Sequence, residues 1–405
     1  MEGDGTRILR RAGYDARRFI ALPAVSRPRL VLDPAHGPAA AYGISASPEP
    51  ATRVRRGRRR AAAMLLRHGR LPPGLPVLTV GGRAGHVPFL IAAGQRELDL
   101  PTAPGWFLAG GAGDDLSRGV FFLFAPRDAT PSWALKFVRV RGYDAPFVRE
   151  ERALRDALCF PAARNHIPTP IALGTTDGFA WSLETAAVGR RLDSHLRTAD
   201  RALALAAVDA VADWLVAVGR DSRAPASALR REWRRLLGVA APVGLSLADE
   251  PPVDAVLQHN DLGPWNVISD GERFIAVDWE SARRHGLPLW DLWYFLAHAL
   301  PQIDGAGTAD LGVDMLRLFR GEHRLSPVYF DWTRRYMAAL DVPRNAVGTL
   351  AALCWLHHAT SHRARTDALA STGVKAEILD LPTRRLGEQW LADPGLGTAW
   401  RCLGE

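Results

Sequence analysis

Apolar and polar positions change rhythm twice along the chain. In the first hundred residues the apolar runs are short: RFIALPA, RLVLD and VLTV read as strands. Between the second and third, Ala51 to Gly69 predicts a helix. Arg53, Arg55, Arg56, Arg58, Arg59 and Arg60 crowd its first half, and Ala61 to Leu66 make the second half apolar. From about 101 to 186 the pattern is that of an antiparallel sheet with one helix. GWFLA, GVFFLFAP, WALKFVRV and FAWSLET are the strands, the last ending near Glu184. Asp144 to Leu158 has helical periodicity, with Phe147, Leu154 and Leu158 on one face and Glu150 and Glu151 flanking it. From about 187 to 405 the chain reads as mostly helical, with amphipathic stretches at 199–219, 226–237, 288–300 and 346–364. The expected class is α+β. The expected divisions are 1–100, 101–186 and 187–405.

Composition supports a soluble globular chain: 405 residues, 47% hydrophobic and 23% charged. The most apolar helical stretch, Leu203 to Val218, is interrupted by Asp209 and Asp213 and reads as a core helix. No apolar signal-peptide core precedes Pro23, and three scattered cysteines (Cys159, Cys354, Cys402) form no pairable framework. Both point to the cytoplasm. The net charge of +8 is uneven: residues 1–100 carry 17 arginines and 7 acids, while the remainder is nearly neutral. That argues against a nucleic-acid-binding protein throughout. The Arg53–Arg60 run reads as a solvated helix face, or as a patch for anionic lipid head groups, phosphorylated substrates or nucleic acid. Only two of the 51 basic residues are lysines, Lys136 and Lys375, and asparagine occurs four times. A lysine or asparagine inside a motif therefore carries unusual information.

The chemistry concentrates in one non-helical island, LQHNDLGPWNVISDGERFIAVDWE, from Leu257 to Glu280. His259, Asp261 and Asn266 give H-x-D-x-x-x-x-N. Two short strands joined at Asp270-Gly271 then form a hairpin, and the second runs into Asp278. A carboxylate ending an apolar strand is costly to bury without a cation. Loop, hairpin and terminal Asp form the arrangement of phosphoryl-transfer kinases, in which one Asp orients the substrate hydroxyl while an Asn and a second Asp bind Mg²⁺.

On these residues the chain resembles the aminoglycoside phosphotransferase and choline kinase superfamily. Members have H-G-D or H-N-D in the catalytic loop and D-[FWY]-E after the hairpin. A P-x-x-D-L helix comes next, here PLWDLWYFL from Pro288 to Leu296. The resemblance covers roughly residues 104–300. It implies a bilobal kinase-like fold with an extra amino-terminal α/β segment, and an ATP- (or GTP-) and Mg²⁺-dependent transfer to a small-molecule hydroxyl. It implies Asp261 as catalytic base, Asn266 and Asp278 as metal ligands, His259 as the residue holding the loop, and Asp291 as its brace. Asn260 stands where Gly is commoner.

The small lobe should then supply a lysine for the α and β phosphates and a glutamate to hold it. Lys136 lies mid-strand in WALKFVRV, 14 residues before Glu150; Glu151 is the other candidate. Gly111, Gly113 and Ser117 are the expected phosphate-covering residues, although Asp114 and Asp115 beside them would repel a triphosphate. Leu183-Glu184-Thr185 resembles the hinge whose backbone meets the adenine. His357, His358 and His362 lack the glutamate of a zinc hydrolase and are not expected to bind metal. Two function classes follow: a small-molecule kinase acting on an aminoglycoside, sugar or amino alcohol, or a silent kinase-like scaffold binding through its basic segment. The presence of Lys136, Asp261, Asn266 and Asp278 together favours the enzyme.

Overall fold

The computed structural model describes residues 15–26, 28–46, 53–82, 88, 90–92, 94, 104–110, 118–240, 253–305 and 311–371. The expected phosphate-covering residues Gly111, Gly113 and Ser117 lie outside them. The fold is α+β, and the chain separates into two compact units, 1–151 with 168–190, and 152–167 with 191–405.

The first unit is built on one eight-stranded antiparallel sheet. Its strands are β1 (Asp15–Leu22), β2 (Leu30–Leu32), β3 (Val77–Gly82), β4 (Gly105–Gly110), β5 (Gly119–Phe124), β6 (Trp133–Phe137), β7 (Pro170–Thr176) and β8 (Phe179–Thr185). Their order is β3-β1-β2-β4-β5-β6-β8-β7. Strands from the first two expected segments therefore share a sheet, joined where Leu30, Val31 and Leu32 pair with Ala109, Leu108 and Phe107.

Side chains alternate across a strand, so the sheet has two differently covered faces. On one, Trp106, Phe121, Leu123, Leu135, Trp181 and Leu183 pack with Leu90 and Ile91. On the other, α1 (Gly37–Ala46) and α2 (Arg53–Arg67) cover Ile20, Leu32, Phe107 and Phe124. Helix α1 buries Ala39, Ala40, Ala41 and Gly43, small residues that let it lie close to the sheet. Its Tyr42 packs edge-on against Phe124, and the hydroxyl accepts the Gly189 N–H at 2.9 Å, tying the helix to the segment after β8. On α2, the Arg59 guanidinium bonds the Ser45 carbonyl at the end of α1. Further along the same sheet face lies α3 (Ala145–Leu158), whose Phe147 is fully buried with Val138 and Ala180.

The second unit is mainly helical. After α4 (Pro161–Arg164), the two-residue strand β9 (Arg190–Arg191) and α5 (Leu192–Leu196) comes α6 (Arg201–Asp221), whose N-cap Asp200 accepts the Ala202 N–H at 2.9 Å. Helix α6 is long and apolar enough to cross a membrane by length and composition. Its Val208, Val211, Ala212 and Leu215 are buried in the core of this unit, as expected of a core helix. Then follow α7 (Arg230–Ala240), β10 (Val256–Gln258), the hairpin β11 (Val267–Ser269) and β12 (Phe274–Ala276), and β13 (Arg283–Gly286). Helix α8 (Trp290–Ile303) is apolar on every side and buried from Trp290 to Gln302, which makes it the central helix. Around it stand α9 (Leu311–Phe319), α10 (Ser326–Leu340) and α11 (Val347–Ser371). Its buried indoles are satisfied by these neighbours: Trp290 Nε1 donates to the Leu350 carbonyl and Trp293 Nε1 to Thr333 Oγ1, at 2.9 and 3.1 Å.

The close seating of α1 on α2 gives a test with opposite signs. A Cβ on Gly37 would meet the Leu66 carbonyl oxygen at 2.4 Å, a backbone atom that cannot rotate away, whereas a Cβ on Gly57 meets nothing within 4 Å. Gly37→Ala is expected to destabilise by about 1–3 kcal/mol through overpacking. Gly57→Ala is expected to stabilise by about 0.8–1 kcal/mol through helix propensity. Urea unfolding of the two variants measures both.

Candidate active site

In the first unit, a buried ammonium organises its surroundings. Lys136 sits on β6 opposite Val120 and Ser182, so its side chain shares a face with Glu184, two residues after Ser182 on β8. Lys136 is only 7% exposed, and a buried lysine needs charged partners. It has two: Nζ lies 2.7 Å from Glu150 Oε1 on α3 and 2.8 Å from Glu184 Oε1. Of the two glutamates left open by the sequence, Glu150 holds the lysine, because the turn of α3 that buries Phe147 also buries Glu150. Glu151 is half-buried on the same helix. The other oxygen of Glu150 receives Arg118 Nη1 at 2.7 Å, and the Arg118 guanidinium lies 5.2 Å over the Phe147 ring. Arg118 was not foreseen; its place just before β5 marks nothing in sequence.

Glu184 was expected at a hinge whose backbone meets a base. Its side chain was not expected to touch the nucleotide, and the structure turns the carboxylate onto Lys136. Burial pushes its pKa up to about 7, opposed by Lys136, reinforced by Glu150 and opposed again by Arg118. At Thr185 the N–H bonds the Thr169 carbonyl at 3.0 Å, and the next N–H, of Ala186, bonds the Ser132 carbonyl. The Thr185 donor of the expected hinge, and the Ala186 donor just after it, are thus engaged within the unit.

In the second unit, the residues of the expected catalytic loop are tied into one piece. Asp291, on the first turn of α8, accepts the backbone N–H of His259 at 2.5 Å and of Asn260 at 2.7 Å, one on each carboxylate oxygen. The loop turns at Asn260, whose φ of +68° is the left-handed conformation. That explains why Gly or Asn suits this position. Unlike Gly, Asn260 also bonds: its Nδ2 donates to the Ser281 carbonyl and its Oδ1 accepts from Gln258 Nε2.

The His259 ring links the loop to the hairpin. Its Nδ1 accepts the Asp261 N–H at 3.3 Å, which leaves the proton on Nε2 to bond the Val277 carbonyl at 3.0 Å. Val277 in turn donates its N–H to the Asn266 carbonyl at 2.8 Å. Loop, hairpin and Asp278 thus meet at Val277. Asn266 Nδ2 bonds the Asp261 carbonyl at 2.9 Å and lies 3.4 Å from Asp261 Oδ2. With the amide nitrogen so engaged, the oxygen of Asn266 is the atom left for a cation. Asp278 is itself left-handed, φ +71° and ψ +57°, where the hairpin strand ends and a 3₁₀ turn begins at Trp279.

Asn266 and Asp278 offer hard oxygen donors, and Mg²⁺ is ordinarily bound by one or two such protein groups together with substrate phosphates. The donor set fits that ion. Tyr294, on α8, was not foreseen: its hydroxyl interacts with Asp261. Burial, then the Asp261 charge and hydrogen bond, push the phenol well up, so it remains a protonated donor. In sequence it is one aromatic in an aromatic-rich helix. His358 stacks on Tyr294 with ring centres 3.9 Å apart, and His357 stacks on Trp290 at 5.4 Å. The side chain of His362 lies outside the described residues. Among the described residues no cluster of three His, Cys, Asp or Glu could hold a metal.

No family model and no curated protein matches the chain. Among solved structures it is similar to aminoglycoside phosphotransferase APH(3'')-Id from Streptomyces rimosus, at 17% identity and a TM-score of 0.37, over 63% of this chain and 90% of that one. It is similar to spectinomycin phosphotransferase APH(9)-Ia in complex with ADP and spectinomycin, at 10% identity and a TM-score of 0.39, over 74% and 93%. A third is the PknI kinase domain of Mycobacterium tuberculosis, at 18% identity and a TM-score of 0.31, over 58% and 95%.

Asp291 carries the loop, and its removal is testable. Asp291→Ala leaves two buried N–H groups without acceptors and is expected to cost roughly 2–5 kcal/mol. Burial outweighs the two N–H bonds and raises the Asp291 pKa from 3.8 to about 7. Between those values the folded chain keeps a proton that the unfolded chain has released. The contribution of Asp291 to stability therefore falls as pH rises from about 4 to 7 and is level above. Urea unfolding across that range is expected to show this slope in the wild type and its loss in Asp291→Asn.

Proposed function

We propose that this chain is a phosphotransferase that moves the γ-phosphate of a nucleoside triphosphate, ATP in the first instance, to a hydroxyl of a small molecule. The observation that carries the reading is the tie at Val277, which fixes Asp261, Asn266 and Asp278 together through the His259 ring and the Asn266 carbonyl. The paired, buried Lys136 on β6 supports it.

Each set of side chains suits a different part of the reaction. Asp261, held through its own N–H by His259 and beside Asn266, aligns the acceptor hydroxyl and takes its proton as the new O–P bond forms. The bond from the γ-phosphorus to the bridging oxygen of the leaving diphosphate breaks in the same displacement. Lys136 neutralises oxygens of the departing diphosphate, with Glu150 setting its position. Asn266 and Asp278 would hold Mg²⁺, which when bound screens the charge of the phosphates. Because the transition state is loose, positioning and charge screening are most of what the protein contributes.

For the acceptor, the region from His285 to the end carries 12 basic and 13 acidic residues, without the carboxylate excess that a polycation requires. A sugar or amino alcohol fits this balance better than a polycationic aminoglycoside. The Arg-rich face of α2 is read as a solvated surface, its Arg59 serving the α1–α2 packing.

The test separates binding from chemistry. Wild-type protein is expected to be thermally stabilised by Mg-ATP. Asp261→Asn is expected to keep that stabilisation while losing about 10²–10⁴-fold in transfer, measured by mass spectrometry against a panel of sugars, amino alcohols and aminoglycosides. Asp278→Ala is expected to lose both. Wild-type transfer by Asp261→Asn contradicts the assignment of Asp261.

A further inference from the structure

The carboxylate of Glu184 on Lys136 is a feature that the catalytic reading does not require. One partner, Glu150, suffices to hold a phosphate-binding lysine, yet here two carboxylates on two different elements hold the same ammonium. Four charged groups face one another: Arg118 ahead of β5, Lys136 on β6, Glu150 on α3 and Glu184 on β8. The side chains of Lys136, Glu150 and Glu184 are 9%, 3% and 5% exposed. With both glutamates ionised the group is neutral, and with Glu184 protonated it carries one positive charge.

We propose that Glu184 is a positioning residue that orients Lys136 and, by taking up a proton, sets the charge that Lys136 offers to the phosphates of an anionic nucleotide. This rests on the reading of Lys136 as a phosphate ligand. The geometry supplies the orienting half. An ammonium has three donors, and two of them are directed to carboxylates on different elements, one on α3 and one on β8, which sets the position of Nζ. The proton half follows from the charges. An incoming phosphate repels the Glu184 carboxylate, so binding favours protonation of Glu184, and by reciprocity protonation favours binding. Burial has already brought Glu184 to about pH 7, where this exchange is within reach.

A second observation points to a polar ligand on this face. Ser182 lies directly opposite Lys136 in the sheet register and two residues before Glu184, on the same side of β8. It is 9% exposed, and its hydroxyl has no hydrogen-bond partner among the described residues. A buried hydroxyl is normally satisfied.

Isothermal titration of the full chain with Mg-ADP needs no acceptor and tests both halves. Run near pH 7.5 in two buffers of different ionisation heat, wild type is expected to take up a fraction of a proton on binding that Glu184→Gln does not. The Kd of wild type is expected to tighten from pH 8.5 to pH 6, by at most about tenfold per pH unit for one linked proton. Glu184→Gln should bind with little dependence on pH over that range, as tightly at pH 8.5 as at pH 6. Protons belonging to the nucleotide itself are common to both proteins and cancel in the difference. Equal proton uptake by the two proteins overturns the proposal and leaves the nucleotide site standing. No binding of Mg-ADP by wild type overturns the nucleotide reading and this proposal with it. If Glu184→Gln does not fold, a wild-type Kd that is flat from pH 6 to 8.5 overturns the proposal alone.

Discussion

A charged ammonium buried on an apolar strand is the constraint around which the first unit is arranged. Lys136 is held at 7% exposure, and such a group stays charged only if its neighbours meet it with opposite charge. That requirement places Glu150 on the inner turn of α3, and Phe147 beside it keeps that turn against the sheet. It draws in Arg118 to balance Glu150, and it turns Glu184 inward from β8. The amino-terminal strands and helices extend the same sheet and cover the same face further along. Through Tyr42 and Gly189 they also brace the segment leaving β8. The accessory segment is thus part of the framework that presents Lys136.

The second unit solves the opposite problem, a polar loop in an apolar surround. Its central helix α8 is buried on all sides, and the one carboxylate in its first turn answers the two N–H groups of the loop above it. From that anchor the ties run in sequence: His259 to Val277, Val277 to Asn266, Asn266 to Asp261. Within the motif Asn260 and Asp278 have left-handed backbone, and both are of the polar types that tolerate it at least cost; Leu289, just before α8, is left-handed as well. Backbone of this kind at the candidate site accords with a geometry imposed by its surroundings.

The motif was legible in the sequence because its parts are close along the chain and rare in composition. His259, Asp261, Asn266 and Asp278 fall within twenty residues, and the Asp-Gly turn between them has an unambiguous local signature. The strands around Lys136 showed in their alternation. What sequence did not show was long-range pairing. Nothing local says that Leu30–Leu32 joins the edge of β4, or that Arg118 would find Glu150 thirty-two residues later. Helix α1 escaped notice because GPAAAYGISA is small on nearly every position and carries no apolar stripe. Strand β7 lay hidden in a Pro- and Thr-bearing stretch. Glu184 was placed correctly on its strand, but its direction depends on the register between β6 and β8, which periodicity alone cannot supply.

The scarcity of lysine gives the central claim its most direct measurement. The account holds that Lys136 lies against the phosphates of a bound nucleotide, and the chain has just one other lysine, Lys375. An acyl-phosphate derivative of ATP transfers its acyl group to a lysine held beside the phosphates. Mass spectrometry of the labelled full-length protein is expected to find the acyl group on Lys136, with labelling suppressed by excess Mg-ATP and Lys375 labelled far less. Labelling of Lys375 alone, or labelling of Lys136 that Mg-ATP does not suppress, would contradict the account.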